Sequence, residues 1–410
     1  MLVYIGIDWS ETKHDVVILN EAGAALERLV LPHTPEGLCQ LETARQRLGL
    51  KPEECLVGIE TAHHLVIDFL WAHGYTQVYV IPPNVVKSSR SRYRQSGARD
   101  DQSDAYVIAD VTRTDRHRLA LWRPDGLLTR QLRAAVSLRE HLQRARVRCC
   151  NRLRAVLLRY YPAATQVFKH LDAQITLAFI QAYPTPQAAS ALSFAAFKTF
   201  AQQHHYPRPA GLRTNFARLQ ASQPEATPDT IQVYQGEAVC LAALLLSVVQ
   251  AQLDVERDVG ELFARHPERA LFASLPGAGD WLAPALLAKF GDDRQRFPTA
   301  ASVQALAGTC PVTESSNKRR WVHFRRACDR EFRHIAQQWA RCSLKESTWA
   351  VAYYERIRPH CHSESHAQRC LANRWLAIAW KVWQSRRPYD EAVHLQHRAA
   401  RSRPRPREGV

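Results

Sequence analysis

None of the ten cysteines forms a Cys-x-x-Cys pair, which excludes the knuckles of a zinc ribbon. In a chain of this size they are expected to be reduced and mostly buried thiols. One cluster is weighed separately. His360, Cys361, His362, His366 and Cys370 carry enough nitrogen and sulfur for zinc, but their spacing follows no standard ligand pattern. They are expected to be ordinary surface residues of a basic protein. Long apolar runs are also lacking. None reaches the ~20 residues needed to cross a bilayer, and the start MLVYIGIDWS has neither the basic opening nor the cleavage site of a signal peptide. The expectation is a cytoplasmic protein with no membrane association. Acids are in short supply, with 39 Asp and Glu against 55 Lys and Arg, for a net charge of +16. That imbalance points to a polyanionic partner, because each phosphate neutralised releases a bound counterion.

The 410 residues suffice for two or three domains with cores of their own. The first third reads as α/β. Val3-Tyr4-Ile5-Gly6-Ile7, Val16-Val17-Ile18-Leu19 and Arg28-Leu29-Val30-Leu31 are three short runs at hairpin spacing. Thr34-Pro35 opens a helix, with Thr34 as N-cap. Leu56-Val57-Gly58-Ile59 is a buried strand, 63–73 a helix closed by Gly74, and Val78-Tyr79-Val80-Ile81 a further strand. Three meandering strands followed by helix–strand alternation fit a ribonuclease H-like fold over residues 1–125.

Residues 126–266 read as helical. Small or apolar residues at 135, 138, 142, 145, 149, 153, 156 and 160 approach a heptad, and a second apolar helix runs from about Val233 to Phe263. The two suit an antiparallel coiled coil, within or between protomers. Between Arg130 and Arg159 stand nine arginines and one acid, Glu140. A solvated helix mixes its signs, so this face is expected to lie along nucleic acid through Arg139, Arg144, Arg148 and Arg152. The stretch from Tyr183 to Asp229 gives no firm pattern. A mainly helical C-terminal domain is expected over 267–395. It opens near Leu275-Pro276-Gly277-Ala278-Gly279, where two close glycines suit a helix-hairpin-helix turn with N–H groups facing phosphate. The tail, 396–410, is rich in Arg and Pro and expected to be disordered.

Four acids stand out. Asp8 ends the first strand and Glu60 the fourth; Asp101 and Asp104 lie three apart at the start of a helix, on one face. Clustered carboxylates repel unless a cation joins them, and Mg²⁺ is a hard cation that prefers oxygen ligands. Metal-dependent phosphoryl transfer needs such a cluster. Each acid alone has a plainer role, N-capping for Asp100 or Asp101. The combination carries the assignment.

Gly6-Ile7-Asp8-Trp9-Ser10, Gly58-Ile59-Glu60-Thr61 and Gly97-Ala98-Arg99-Asp100-Asp101-Gln102-Ser103-Asp104-Ala105 resemble the three motifs of the DEDD transposases of bacterial insertion sequences, the insertion-sequence one-ten family. The resemblance continues through Arg113-Thr114-Asp115-Arg116 and the basic helix and resumes at Leu275. It departs at Arg99-Asp100, where the family often has Lys-Thr. It implies a domain similar to the Holliday-junction resolvase RuvC, with Asp8, Glu60, Asp101 and Asp104 holding Mg²⁺. It also implies a nucleophilic serine in the second domain. Counting from Pro311 in Gly308-Thr309-Cys310-Pro311-Val312-Thr313-Glu314-Ser315-Ser316-Asn317-Lys318, that serine is Ser316, with Ser315 next in register and Asn317 in place of the usual glycine. Lys318, Arg319 and Arg320 follow closely enough to hold a phosphate, as do Arg325 and Arg326. The resemblance further implies DNA as substrate, a structured guide RNA, and a site completed between protomers of a dimer or tetramer.

Three rivals remain at this level. A resolvase-like nuclease would use metal and water with Ser316 idle. A sugar-kinase-like ATPase shares the opening strand order, but no second Asp-x-Gly phosphate loop is present and the arginine helix would be unexplained. A nucleic-acid-binding protein without catalysis is at odds with the presence of all four carboxylates.

Overall fold

The computed structural model describes residues 1–62, 65–92, 101–221, 224–316 and 319–402. They form two compact units. One comprises residues 1–125 with 293–298; the other comprises 126–292 and 299–410. Residues 126–266 and most of 267–395 therefore share one unit.

The first unit is built on a six-stranded sheet of β1 (Val3–Trp9), β2 (Lys13–Leu19), β3 (Ala25–Pro32), β4 (Cys55–Ile59), β5 (Val78–Val80) and β6 (Leu121–Trp122), in the order β3-β2-β1-β4-β5-β6. β1, β2 and β3 pair antiparallel, β4 and β5 add parallel to β1, and β6 closes the edge antiparallel. The helices are α1 (Pro35–Arg47), α2 (Leu65–Ala72), α3 (Pro83–Ser89) and α4 (Asp101–Asp115). The expected start of α1 holds: the Thr34 hydroxyl accepts the Gly37 N–H at 3.0 Å. Gly74 closes α2 at φ +84°. On one face, Val3, Ile5, Ile7, Val57 and Ile59 pack with α1 and α2 residues such as Leu41 and Leu70.

On the other face α4 lies directly on the central strands, and two glycines make this possible. Gly6 and Gly58 are paired across β1 and β4. A Cβ on Gly6 would come within 2.0 Å of the Ala105 carbonyl oxygen and 2.4 Å of the Ala109 nitrogen; one on Gly58 would meet Thr112 Oγ1 at 2.1 Å. The pair forms a groove that receives the helix backbone at Gly6 and the Thr112 side chain at Gly58. Gly6→Ala is expected to lower stability by about 1–3 kcal/mol, because the obstacle is main chain and cannot rotate away. An unshifted thermal melt would mean that α4 does not rest on the strand.

In the second unit the chain runs through α5 (Leu127–Tyr160), α6 (Gln174–Ala182), α7 (Pro186–Ser190), α8 (Phe194–Gln203), α9 (Leu212–Gln220), α10 (Pro228–Arg265), α11 (Arg269–Ala273), α12 (Gly279–Phe290) and α13 (Ala300–Leu306). It continues through the hairpin β7 (Val312–Ser316) and β8 (Arg319–His323), then α14 (Arg330–Ser343), α15 (Thr348–Ile357), α16 (Glu364–Ser385) and α17 (Glu391–Ser402). α5 and α10 pack antiparallel, as the pairs Arg139–Glu256 and Arg152–Glu237 fix. The expected seam holds at Leu153, Val156 and Tyr160 but is displaced earlier in α5. There Leu132, Val136 and Glu140 are buried, and Leu138 is half exposed. The cause is α12, which packs on this half of α5 and takes the Arg133 Nε–H at the Ala288 carbonyl.

Four expectations change. No charged residue falls between Glu237 and Asp254, so α10 is long and apolar enough to cross a membrane by length and composition, contrary to the absence of such a run. Its inner face, including Ala238, Ala242 and Leu245, belongs to the core shared with α5. The unread stretch after Tyr183 is helical: Thr185 and Ser193 cap α7 and α8, and Phe168, Phe179, Phe197 and Phe200 form an aromatic core beneath them. The Gly277 turn does not offer its N–H to solvent. It donates to Glu346 Oε2 at 2.7 Å, and a Cβ on Gly277 would meet the Ser343 nitrogen at 2.4 Å, so the turn is a packing joint against the end of α14. Finally, the tail is helical as far as Ser402; residues 403–410 lie outside the described residues.

Candidate active site

Asp8 and Glu60 stand at the ends of neighbouring parallel strands, one residue beyond the paired Ile7 and Ile59. Strands of one direction end on one edge, so both carboxylates leave the sheet together. Asp104 lies in the first turn of α4, which the glycine groove holds across β1 and β4. Asp101 is the first residue of that helix, and its side chain is outside the described residues, as are Gly97 to Asp100.

The structure adds a residue that the sequence did not suggest. Arg90 clasps Asp104 with both arms, Nε to Oδ1 at 2.7 Å and Nη2 to Oδ2 at 2.5 Å. Its guanidinium is held above its ordinary pKa by the Asp104 hydrogen bond, with further support from the charges of Glu60 and Asp8. Three acids therefore share one field. Burial pushes the Glu60 carboxyl above its usual range, Asp104 pushes it further, and Arg90 opposes them. The only sequence signal for Arg90 was its basic character ahead of the third motif.

The donor set suits a divalent cation. Its candidate ligand atoms are all carboxylate oxygens, which suit a hard ion, and a positive group, Arg90, already holds the Asp104 carboxylate. One residue past Glu60, the Thr61 hydroxyl is buried without a hydrogen-bond partner among the described residues, a polar atom suited to an ordered water.

The serine segment forms an exposed hairpin. Ser316 pairs with Arg319, Ser315 with Arg320 and Glu314 with Trp321. Opposed residues share a face and neighbours alternate, so Ser316, Arg319, Glu314 and Trp321 lie on one face and Ser315 and Arg320 on the other. A shift of one in register would therefore place the candidate serine on the opposite side. Asn317 and Lys318, between the strands, lie outside the described residues.

Along α5, Arg144, Arg148 and Arg152 recur every fourth residue and are exposed. Arg144 reaches Glu331 at 3.6 Å and Arg152 reaches Glu237 at 2.5 Å, while Arg148 has no ion pair among the described residues. Arg139 is different. It stacks 4.2 Å from the Trp281 ring centroid and pairs with Glu256 at 2.8 Å, so its guanidinium is engaged within the unit.

Two family models match the chain. One, described as a DEDD transposase of IS110 type, matches residues 5–162; the other, described as the transposase IS116/IS110/IS902 family, matches residues 269–355. The chain belongs to this transposase family. It is similar over 95% of its length to the "Mini-circle putative transposase for IS117" of Streptomyces coelicolor, at 28% identity and 96% coverage of that protein. It is similar at 26% identity, with 95% and 96% coverage, to the insertion element IS116 uncharacterized 44.8 kDa protein of Streptomyces clavuligerus. A transposase is an enzyme acting on DNA. The first match includes the acidic strands and α4, so their fold is that of a DEDD, ribonuclease H-like domain, a class that works with a divalent metal. The second includes the serine hairpin.

Proposed function

We propose that this transposase cuts and exchanges DNA strands of an insertion element through Asp8, Glu60, Asp101 and Asp104 as ligands of Mg²⁺ and Ser316 as nucleophile. The observation that carries the reading is the placement of Asp8 and Glu60 at the ends of paired parallel strands, with Asp104, clasped by Arg90, in the first turn of the helix that lies across them. Bound there, the ion would supply positive charge to phosphate oxygens. The chain's own part is positional. The glycine groove fixes α4, and α4 holds Asp104 beside Glu60. Arg90 must release Asp104 when the acid turns to a metal.

Ser316 Oγ would bond to phosphorus as the bond to the 3′-oxygen breaks. The serine proton is lost and the departing oxygen gains one. The product is a phosphoserine on the 5′ phosphate and a free 3′ hydroxyl, which then attacks the adduct on the partner strand. Arg319, on the serine's face, is suited to the phosphate's negative charge; Lys318 and Arg320 are assigned the same phosphate-holding role.

A structured RNA guide, assembly as a dimer or tetramer, and residence in the cytoplasm complete the proposal. The exposed arginine row on α5 supports a second polyanion besides the DNA. Its ion pairs are partly solvated and exchange readily for phosphate. Arg139 would act behind that row by bracing α5. Neutralising Arg144, Arg148 and Arg152 together is expected to weaken nucleic-acid binding and to reduce the slope of log affinity against log salt by about 2–3. An unchanged slope would remove this face from the interface. The mechanism itself is tested by trapping on DNA with a blocked rejoining step: the adduct should carry a peptide containing Ser316.

A further inference from the structure

A second ligand cluster lies apart from the acids in both place and chemistry. Cys361, His366 and Cys370 each present one ligand atom, and all three atoms lie within 4.8 Å of one another. Their backbone is well anchored. Cys361 closes the turn after α15, its N–H donating to the Arg358 carbonyl at 3.2 Å. Ser363 caps α16, its hydroxyl accepting the His366 N–H at 3.2 Å. His366 and Cys370 are four apart on α16 and so share a helix face one turn apart. That is the spacing at which a zinc-finger helix presents its two ligands. Cys361 adds a third from the loop, at a distance along the chain that fits no standard sequence pattern. The exposed His362 ring stacks on His366 with centroids 5.9 Å apart.

We propose that Cys361, His366 and Cys370, with His362 turned inward as fourth ligand, bind a structural zinc ion. Two thiolates and two imidazoles make a closed tetrahedral set that selects zinc over the hard ions suited to the acidic cluster. Binding displaces the two thiol protons to solvent.

The ion would fasten the loop after α15 to the first turns of α16, and the effect reaches the serine hairpin. Arg369, between the two helical ligands, lies over the Phe324 ring at 4.7 Å, and Arg333 of α14 lies over the same ring at 4.5 Å. Phe324 directly follows β8. The clasp therefore steadies the base of the hairpin that carries Ser316.

The full-length chain, reduced and stripped by chelator, is to be reloaded with Zn²⁺ or Co²⁺ alone. The expected result is about one zinc per chain, with a thiolate-to-cobalt charge-transfer band and tetrahedral ligand-field bands for the cobalt form. His366→Ala and Cys370→Ser should each lose the metal, while Cys240→Ser on the outer face of α10 should keep it. Hydrogen exchange of amides in 312–324 should quicken in the stripped wild type and recover on reloading. That arm needs no variant to fold. The proposal is overturned if the reduced wild type takes up no zinc, if His366→Ala and Cys370→Ser retain full uptake, or if cobalt binds without a thiolate band. A Cys361–Cys370 disulfide in air-purified protein, joined with no zinc uptake after reduction, would likewise replace the metal by a redox pair.

Discussion

Ser316→Ala is expected to abolish strand cleavage and the covalent adduct, by about 10⁴-fold or more, while DNA affinity and metal uptake stay at wild-type levels. A hydroxyl contributes little to holding a polyanion, but nothing else at that place can supply the attacking oxygen. The hairpin geometry sharpens the control. Ser315 lies on the opposite face, beside Arg320, so Ser315→Ala should cleave at near wild-type rate. Gel analysis of adducts on a suicide substrate, with the peptide identified by mass spectrometry, reads both. Cleavage by Ser316→Ala without any adduct in the wild type would promote a metal-and-water nuclease. Loss in Ser315→Ala alone would move the nucleophile to the other face.

The second large effect belongs to the acids. Asp8→Asn, Glu60→Gln, Asp101→Ala and Asp104→Ala are each expected to reduce recombination by about 10²–10³-fold or more, as loss of a group facing developing charge does. Their metal-free stabilities should differ in sign. Asp104→Ala leaves Arg90 without its two-armed partner and is expected to cost on the order of 1 kcal/mol. Glu60→Gln should hold or gain stability near pH 7, because burial and Asp104 disfavour the charged carboxyl it replaces. The pH dependence follows. With its folded pKa raised, Glu60 stabilises the fold fully below its ordinary value of about 4.5, and that stability is lost as pH rises through the folded value. The glutamine variant should lack this slope. Melts with and without Mg²⁺ test the ligand role separately, since an ion bound only to the folded state raises Tm in the wild type and less in each variant. Equal Mg²⁺ shifts in all five proteins would refute the metal assignment.

Much of the first unit was legible in the sequence because its signals are local. Period, turn residues and the Thr34-Pro35 cap located β1 to β5 and α1, and the strand-end acids marked the sheet edge. Arg90 was not legible, since its pairing with Asp104 spans fourteen residues and depends on where α4 docks. The role of Gly6 and Gly58 was hidden for the same reason: the motif shows a glycine before each acid, not the helix that needs the space. In the second unit, heptad spacing gave the α5–α10 pair but not the seam near Val136, which a third helix redirects. The hairpin β7–β8 has no apolar face to produce an alternating pattern, so its strands left no periodic signal. Cys361, His366 and Cys370 fell outside known ligand spacings because one ligand comes from a turn and two from a helix.

The glycine groove has a consequence for divergence. Asp8 and Glu60 stand at strand ends and Asp101 and Asp104 on α4, and the interval between these elements is set where the α4 main chain meets Gly6 and Thr112 meets Gly58. Side chains elsewhere in the sheet can be exchanged, one apolar residue for another, without altering that interval. Sequence drift in the bulk of the domain is thereby uncoupled from drift in the spacing of the carboxylates. A domain so constructed can exchange many of its apolar side chains and still hold its acids in place. The position with least freedom is then Gly6, which has no side chain at all.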